Sequence, residues 1–471
     1  MLGDNSVPVS CDKRSLTINW AIVLIVVGVV IRFGLWARVS QTPVLLIQGD
    51  GAGYEQIARN VLEGNGFSMD SGPPYMSDML RTPGYPLFII GVYLVAGYRP
   101  EIVTLIQNVL NLIALYFAYR LAERLFGSKA ALAAAALMAV DIGTIILANV
   151  TLTESLFMVL LMPATYCLFA GVNSPRGLLW MAGAGILTGL ATMVRPAALY
   201  LILLLLPFLW WAMHRPWREK AVHTVILLIT FLLPLVPWSY RTLRVFGTPN
   251  FSLAAQAMTM GYHAKYLRSA LNDSTLFEEE GRFHGEVLRD LGGRSVGPVE
   301  MNRLYQAKAR AEIGQHPVAY AAVYAKSTGL MLILPNTNFL ANSLGILDHA
   351  TGIIADMRTR SPAENVRALM GFTAQFLVGS PDQALFFAAL AAEVLVVLLT
   401  YALAAVGAAV GFRNPRLRAA VVLLLVIIGY FFAVTGPIGT GRYRLPAMPY
   451  LMMLAGCGFV RIQTWLQTRQ S

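Results

Sequence analysis

A single loop near the start of the chain combines polar chemistry with helix-forming patterns. It reads Q-G-D-G-A-G-Y-E-Q-I-A-R-N-V-L-E-G-N-G-F over residues 48–67 and, after a polar linker, L-R-T-P-G-Y-P-L-F over residues 80–88. Apolar side chains at helical spacing predict an amphipathic helix over 52–63, ended by glycines, and a short apolar helix is predicted over 86–97. An acid, an arginine and two surface-lying helices in one loop indicate the wall or lid of an active site.

The composition places this loop in an integral membrane protein. Of the 471 residues, 56% are hydrophobic and 13% are charged, and the mean hydropathy is +0.60. The net charge of +11 does not indicate a nucleic-acid partner, because the basic residues lie in short turns between apolar runs, where they set membrane topology. We therefore expect an all-α polytopic membrane protein with one sizeable soluble insert.

The start of the chain predicts which side of the membrane the loop faces. Lys13 and Arg14 precede the first apolar run, 18–36, and basic residues at that position hold the tail 1–17 in the cytoplasm. The loop 37–100 then lies outside. A cleaved signal peptide is the alternative, but the run is long and no small-residue cleavage site follows it.

Twelve spans are predicted in all, or ten if the ambiguous pair 318–334 and 366–380 does not cross the membrane. The other predicted spans are 101–123, 129–147, 155–171, 178–194, 197–213, 221–237, 384–411, 419–435 and 446–460. The chain is accordingly divided into a cytoplasmic tail 1–17, a transmembrane module 18–237 with the outer catalytic loop 37–100, an outer-face insert 238–316 and a C-terminal transmembrane module 317–471.

Charged side chains gather at the predicted outer ends of the spans. Carboxylates there suit a base that takes a proton from an acceptor hydroxyl or amine, and Asp50 and Glu154 are the catalytic candidates. Arginines suit a phosphate or pyrophosphate, because the guanidinium fork binds two oxygens at once. The candidates for the donor phosphate are Arg81, Arg195, Arg241, Arg442 and Arg444, and the candidates for positioning the substrate are Tyr54, Tyr85 and Tyr443.

Each candidate also has a purely structural interpretation. Asp50 could belong to an Asp-Gly turn, and Glu154 could be an acid favoured by the dipole at a helix start. Arg442 and Arg444 could be interfacial anchors that reach lipid headgroups, and the other arginines could brace turns. Asp141, inside an apolar run, could be an interhelical hydrogen-bonding partner.

The order of six short motifs resembles the glycosyltransferase 39 group of the GT-C superfamily, which includes the protein mannosyltransferases and the bacterial aminoarabinose transferases. The motifs are G-D-G-A-G-Y-E-Q-I-A, R-T-P-G-Y-P-L-F, T-L-T-E-S-L-F, V-R-P-A, P-W-S-Y-R and R-Y-R-L-P-A-M-P. They extend from residue 20 to about residue 454 and are weakest over 250–380. The resemblance implies a GT-C helical bundle of ten to twelve spans and an acid in the first outer loop, here Asp50, as catalytic base or acceptor-positioning group.

The resemblance also implies a polyprenyl-phosphate sugar as donor, with arginines on its phosphate and Glu154 as a recurrent acid at an outer helix end. It leaves a divalent metal doubtful and no cofactor certain, because position 52 is Ala where metal-dependent members carry a second acid. The expected acceptor is a lipid, a glycan or a protein. The expected location is the bacterial cytoplasmic (inner) membrane, with the site facing the periplasm or exterior.

Two other functions fit part of the pattern. A transporter or flippase for a lipid-linked sugar would show inverted repeats, broken helices and polar groups at mid-membrane, whereas here Asp141 is interpreted as the only charge inside an apolar run. A polysaccharide ligase or polymerase with a polyprenyl-pyrophosphate donor would use the same arginines, which do not distinguish one phosphate from two.

Overall fold

The predicted all-α architecture is confirmed. The computed structural model describes residues 14–249, 251–252, 259–346 and 380–470, and no strand occurs in these ranges. The long or paired apolar helices are α1 Arg14–Val39, α4 Pro100–Phe126, α5 Ser128–Ala139, α6 Ile142–Ala148, α7 Glu154–Gly171, α8 Gly177–Val194, α10 Trp217–Leu232, α11 Leu235–Phe246, α15 Pro317–Ile333, α16 Thr337–Ser343, α17 Pro381–Arg413, α18 Pro415–Val434 and α19 Met448–Gln470. The shorter or polar helices are α2 Asp50–Leu62, α3 Gly84–Ala96, α9 Leu201–Ala212, α12 Thr259–Asn272, α13 Leu276–Leu291 and α14 Pro298–Gln315.

Seven helices in the described ranges are long and apolar enough to cross a membrane, and three bent pairs raise the number to ten. The bends are 53° between α5 and α6, 48° between α10 and α11, and 60° between α15 and α16. Ten of the twelve predicted spans correspond to these elements. The predicted span 197–213 is only the short α9 behind a 3₁₀ turn at Pro196–Ala198, and 366–380 lies outside the described residues.

The first loop folds into the amphipathic and the apolar helix that the sequence predicts. α2 begins at Asp50 because Gly49 takes a φ of 52°, in the left-handed region, and turns the chain into the helix. A Cβ on Gly51 would lie 2.5 Å from the Thr151 carbonyl oxygen, so the glycine lets α2 start directly against the turn that precedes α7. That close approach brings the first residue of α2 towards Glu154, the first residue of α7.

The polar segment predicted as an insert contains three helices of its own. α12, α13 and α14 share a small core of Ala264, Phe283, Val287 and Ala309. Above this core Arg268 donates to Glu286 at 2.9 and 3.0 Å and to Glu312 at 2.8 Å. The predicted helix 300–313 lies within α14, while the predicted boundary at 238 falls inside α11.

A 3₁₀ helix, Gly441–Ala447, joins α18 to α19 and is buried among the other helices. Arg444 anchors it, since its Nη2 lies 2.7 Å from Glu393 Oε1 of α17, with both side chains almost fully buried. The same Glu393 accepts hydrogen bonds from the backbone and side-chain nitrogens of Asn336, both at 2.8 Å, at the break between α15 and α16. A Cβ on Gly441 would lie 2.0 Å from the Leu334 carbonyl oxygen, so this segment fits against the same break.

Candidate active site

Five charged side chains form one continuous chain of ion pairs, Arg81–Asp50–Arg442–Glu154–Arg195. Asp50 binds Arg81 Nη1 through Oδ1 and Arg442 Nη1 through Oδ2, both at 2.9 Å. Glu154 Oε1 accepts from Arg442 Nε in a short contact and from Arg195 Nη1 at 2.6 Å. The five come from five different motifs of the sequence, and the structure places them at one location.

The ends of helices bring these side chains together. Asp50 and Glu154 are the first residues of α2 and α7, where the helix dipole favours a negative charge. Arg195 follows the last residue of α8, where the dipole favours a cation. Arg81 lies in the linker between α2 and α3, where its backbone N–H donates to Asp78 Oδ2 at 2.7 Å. Arg442 lies in the buried 3₁₀ helix.

Burial divides the charge chain into a closed end and an open end. The side chains of Glu154, Arg195 and Arg442 are 5%, 10% and 10% exposed, whereas Arg81 and Asp50 are 21% and 35% exposed. Three guanidinium groups against two carboxylates leave one net positive charge, because 3 − 2 = 1. An anion that approaches the open end therefore meets a positively charged site.

The two arginines determine the proton affinity of Asp50. Burial alone would raise its pKa, but the positive charges of Arg442 and Arg81 outweigh that effect and lower the pKa from 3.8 to about 2. A carboxylate with so low a pKa is a weak general base at neutral pH. In this arrangement Asp50 binds arginines, and a role as base requires that those contacts weaken.

Two buried polar atoms of the charge chain have no hydrogen-bond partner among the described residues. They are Arg81 Nε, a donor, and Glu154 Oε2, an acceptor. Buried polar groups are normally paired, so each marks a point where a water or a ligand group is expected. The free donor of Arg81 lies beside the open end of the charge chain.

Glu154 also borders a cavity of ≈ 40 Å³ inside the helical bundle. Its polar lining includes Arg32, Asp141 and Asn111, and several methionines complete the wall. This volume holds roughly three or four waters at ~10–15 Å³ each. Water in this cavity would supply the partner that Glu154 Oε2 lacks.

Of the three predicted tyrosines, two contact the arginines and one lies beneath them. The Arg81 guanidinium lies 4.9 Å above the centre of the Tyr54 ring. The Tyr443 ring lies 5.8 Å from the guanidinium of Arg195 and 5.9 Å from that of Arg442. Tyr85 is fully buried and packs edge-on against Tyr54, with its hydroxyl donating to Gln107 Oε1 at 2.5 Å. In this structure Tyr85 braces Tyr54 and does not face the open end.

Two of the predicted phosphate-binding arginines lie outside the charge chain. Arg241 donates to the Asp78 carbonyl oxygen at 3.0 Å and lies among aromatic rings, 4.5 Å from the centre of the Trp238 ring and 5.2 Å from that of Phe67. Arg444 is the anchor to Glu393 described above. In this structure Arg241 packs within an aromatic cluster and Arg444 is held by a buried ion pair.

The interpretation of Asp141 as the only charge inside an apolar run is wrong. Arg32 and Glu393 are also buried within predicted spans, at 2% and 0% exposure. Their signal was present in the sequence, because an ionisable residue inside an apolar run requires a partner. What the sequence did not supply was the identity of each partner, Asn108 for Arg32 and Arg444 for Glu393.

The side chains of this site do not fit a divalent metal. Within the described ranges no group of three or more His, Cys, Asp or Glu lies close enough to hold one. Asp50 and Glu154 are both neutralised by arginines, and three guanidinium groups would repel a cation.

Residues 80–240 match the family model described as "Dolichyl-phosphate-mannose-protein mannosyltransferase". No curated protein matches the sequence. This family segment contains Arg81, Glu154 and Arg195, three of the five members of the charge chain.

Solved archaeal oligosaccharyltransferase structures share the fold. The oligosaccharyltransferase AglB from Archaeoglobus fulgidus, in complex with an inhibitory peptide and a dolichol-phosphate, aligns over 96% of this chain and 51% of its own, with a TM-score of 0.54 and 12% identity. The apo form of the Archaeoglobus fulgidus oligosaccharyltransferase aligns over the same shares, with a TM-score of 0.55 and 14% identity. ArnT from Cupriavidus metallidurans, bound to undecaprenyl phosphate, aligns over 94% of this chain and 78% of its own, with a TM-score of 0.39 and 14% identity.

The chain spans about half the length of these oligosaccharyltransferase structures. At such identities the structural likeness establishes the fold, while the family model covers one continuous segment of the sequence. The protein therefore has the helical fold seen in these oligosaccharyltransferase structures, and its residues 80–240 match the mannosyltransferase family model.

Proposed function

We propose that this protein is a glycosyltransferase of the cell envelope, which moves a sugar from a polyprenyl-phosphate donor to a lipid, glycan or protein acceptor at the outer face of the cytoplasmic membrane. The observation that carries the proposal is the charge chain, which holds three arginines against two carboxylates and is open at Asp50 and Arg81. The family match over 80–240 supports the same chemistry. A hexosyl and a pentosyl donor are equally compatible with this arrangement.

Arg81 and Arg442 are the arginines that we assign to the donor phosphate. Both contact the open Asp50, and Arg81 retains an unused Nε donor. A sugar–phosphate–lipid diester carries one negative charge, whereas the lipid phosphate that leaves carries up to two. Arginines therefore bind the leaving group more strongly than the donor, and this difference lowers the barrier to transfer.

In the transfer, an acceptor oxygen or nitrogen forms a bond to the anomeric carbon of the sugar. The bond from that carbon to the phosphate oxygen breaks, and its electron pair stays on the phosphate. The acceptor proton must go to a base, which we assign to Asp50. A bound phosphate competes for Arg81 and Arg442, so the pKa of Asp50 rises from about 2 towards its ordinary value when the donor binds.

The remaining members of the site have supporting roles in this proposal. Arg195 neutralises Glu154, which in turn fixes the Nε side of Arg442. Tyr54 and Tyr443 hold the guanidinium planes of the arginines through their ring faces. Arg241 and Arg444 hold the surrounding helices and do not bind phosphate.

The test of the proposal is whether the protein distinguishes a lipid phosphate from the neutral alcohol. The purified full-length protein in nanodiscs is titrated with undecaprenyl phosphate and with undecaprenol. We expect clear preference for the phosphate, lost in Arg81→Ala. The matched control is Arg59→Ala, because Arg59 lies on α2, pairs with Glu55 at 3.0 Å and is not part of the charge chain. Equal binding of the two lipids by the parent protein would refute the phosphate site.

Transport of a lipid-linked sugar is the second candidate, and the bent helices favour it. Three helix pairs break within or beside spans, and buried charges lie near two of the breaks, Asp141 at the first and Glu393 against the third. A nanodisc separates no compartments, so a pure transporter yields no product there. Formation of a glycosylated acceptor by the purified protein in nanodiscs supports transfer, and donor binding without product from any acceptor class supports transport.

A further inference from the structure

The three helices of the insert surround a pocket that the site described above does not use. It has a volume of ≈ 310 Å³ and is lined by Lys265 of α12, by Phe277, Glu280, Gly281 and His284 of α13, and by Tyr305 of α14. Pockets of a few hundred Å³ with aromatic walls and a few polar groups are typical of small-ligand sites. Phe277 is 84% exposed, which is unusual for a large apolar side chain outside the spans.

The charges of the pocket favour a neutral ligand. Lys265 Nζ lies 2.6 Å from Glu280 Oε1, so the two charges cancel and neither a cation nor an anion gains a free partner. The imidazole of His284 stacks on the Tyr305 ring with centroids 6.0 Å apart. Aromatic faces accept the positively polarised C–H groups of a ring, while the ammonium and carboxylate can bond to hydroxyls. A neutral molecule with an apolar ring face and several hydroxyls, a saccharide, matches all of these groups.

A lipid surface is the other partner that an exposed phenylalanine could indicate. The neighbours of Phe277 argue against it, because Glu278 and Glu280 are also exposed and would be repelled by anionic headgroups. The pocket is also a concave site shared by three helices, whereas insertion into a lipid surface requires a projecting apolar face.

Helix α12 connects the pocket to the segment that carries part of the charge chain. Lys265 of the pocket lies on α12, with its Nζ 4.9 Å above the Tyr262 ring. The next residue, His263, is held to α15 by the hydrogen bond between its Nδ1 and the Tyr320 hydroxyl at 2.7 Å. Helix α15 in turn packs against the 3₁₀ helix that contains Arg442, so the pocket and the charge chain are joined through two packed helices.

From these observations we infer that the pocket between α12, α13 and α14 binds a neutral saccharide unit of the acceptor, one that is covalently joined to the unit accepting the new sugar. The inference rests on the proposed glycosyl transfer only where it identifies the bound molecule as the acceptor. Binding of a saccharide at the pocket can be measured without any transfer. It restricts the acceptor to a glycan or a glycosylated lipid or protein with at least two saccharide units.

The experiment measures saturation-transfer NMR from the full-length protein in nanodiscs to three neutral sugars, mannose, glucose and N-acetylglucosamine. Gly281→Trp fills the pocket, because a Cβ at Gly281 meets no atom within 4 Å and the ring would occupy the free space. Phe277→Ala removes an aromatic wall at an exposed position, where little stability is lost. We expect each variant to weaken binding of at least one sugar about tenfold.

The matched control is Arg303→Trp on α14, which adds the same ring at a side chain 74% exposed and outside the pocket. It should bind the sugars as the parent does. Equal binding by Gly281→Trp and Arg303→Trp, or no binding of any of the three sugars by the parent, would overturn the inference.

Two further outcomes have defined meanings. Loss of sugar binding in Arg81→Ala but not in Gly281→Trp would locate the sugars at the charge chain and refute the pocket. Quenching by brominated lipids of the added fluorescence in Phe277→Trp would indicate membrane contact and also refute it. The proposed function fails separately, through loss of the preference for undecaprenyl phosphate over undecaprenol.

Discussion

Asparagine at position 50 should make this protein bind a lipid phosphate more tightly while it transfers less sugar. Asp50 occupies one face of both Arg81 and Arg442, so it competes with the phosphate for the same guanidinium groups. Asp50→Asn keeps the size and some hydrogen bonding of the side chain but removes the competing charge. The net charge of the charge chain rises from one to two positive charges, because 3 − 1 = 2.

The magnitude follows from the pKa of Asp50. Its lowering from 3.8 to about 2 corresponds to about 2 kcal/mol of attraction to the arginines. The side chain is 35% exposed, so screening by solvent reduces the usable part to about 1 kcal/mol. Removing this competition should tighten binding of undecaprenyl phosphate about fivefold. Loss of the base should slow transfer by ~10²–10⁴-fold.

The assay compares parent and variant in nanodiscs, with undecaprenyl phosphate titrated against undecaprenol as the uncharged reference. The control is Glu63→Gln, which makes the same change of charge in the same loop at an exposed side chain away from the arginines. Unchanged or weaker phosphate binding by Asp50→Asn would show that Asp50 does not occupy the phosphate position. Transfer near the parental rate would return Asp50 to a structural role at the start of α2.

Three further predictions test the support of the site. Arg442→Lys should insert and fold but lose the preference for the lipid phosphate, because an ammonium cannot bridge Asp50 and Glu154 as the guanidinium does; a retained preference would leave Arg81 as the only phosphate ligand. Glu393→Ala should lower stability by about 3–5 kcal/mol in thermal unfolding, because it leaves a buried arginine without its counter-charge, whereas Asp382→Asn, at a partly exposed ion pair, should cost about 0–1 kcal/mol; equal costs would contradict the anchoring role. Burial lowers the pKa of His263 from 6.5 to about 4. The free energy of unfolding should therefore fall by up to about 3 kcal/mol between pH 6.5 and pH 4, because the unfolded chain takes up a proton that the folded chain resists. A His263→Gln variant with the same pH dependence would refute this.

Much of the fold could be predicted from the apolar runs and the basic turns between them, because each span is indicated by its own local sequence. The bends could not, because at a break such as that between Ala139 and Ile142 the one charged residue, Asp141, is equally compatible with a buried hydrogen-bonding partner inside a continuous span. The sequence also predicts a full span at the short α9. Its Leu-rich composition does not show that the α-helix begins only at Leu201, after the 3₁₀ turn Pro196–Ala198.

For the candidate active site, the types of residue indicated which chemistry to expect. Only the structure could show which charged side chains pair with one another. Asp50 and Arg442 are 392 residues apart, so no local pattern links them. The same limit applies to Arg241, whose motif predicted a phosphate ligand equally well but whose guanidinium packs on Trp238 and Phe67. Charge and position along a span are visible in sequence, whereas pairing across helices depends on how the bundle closes.

The R-Y-R motif shows why two identical residues so close together have different roles. In a 3₁₀ helix successive side chains are about 120° apart, so residues 442 and 444 must point in different directions. Arg442 turns to Asp50 and Glu154, and Arg444 turns to Glu393 and the break between α15 and α16. Tyr443, between them, presents its ring to Arg195 and Arg442. One short helix thus ties the charge chain to α17 and to the bent pair α15–α16. Any displacement of that bend when a lipid enters would be transmitted to Arg442 through a rigid segment of three residues. The phosphate site is therefore expected to respond to motion of that bend.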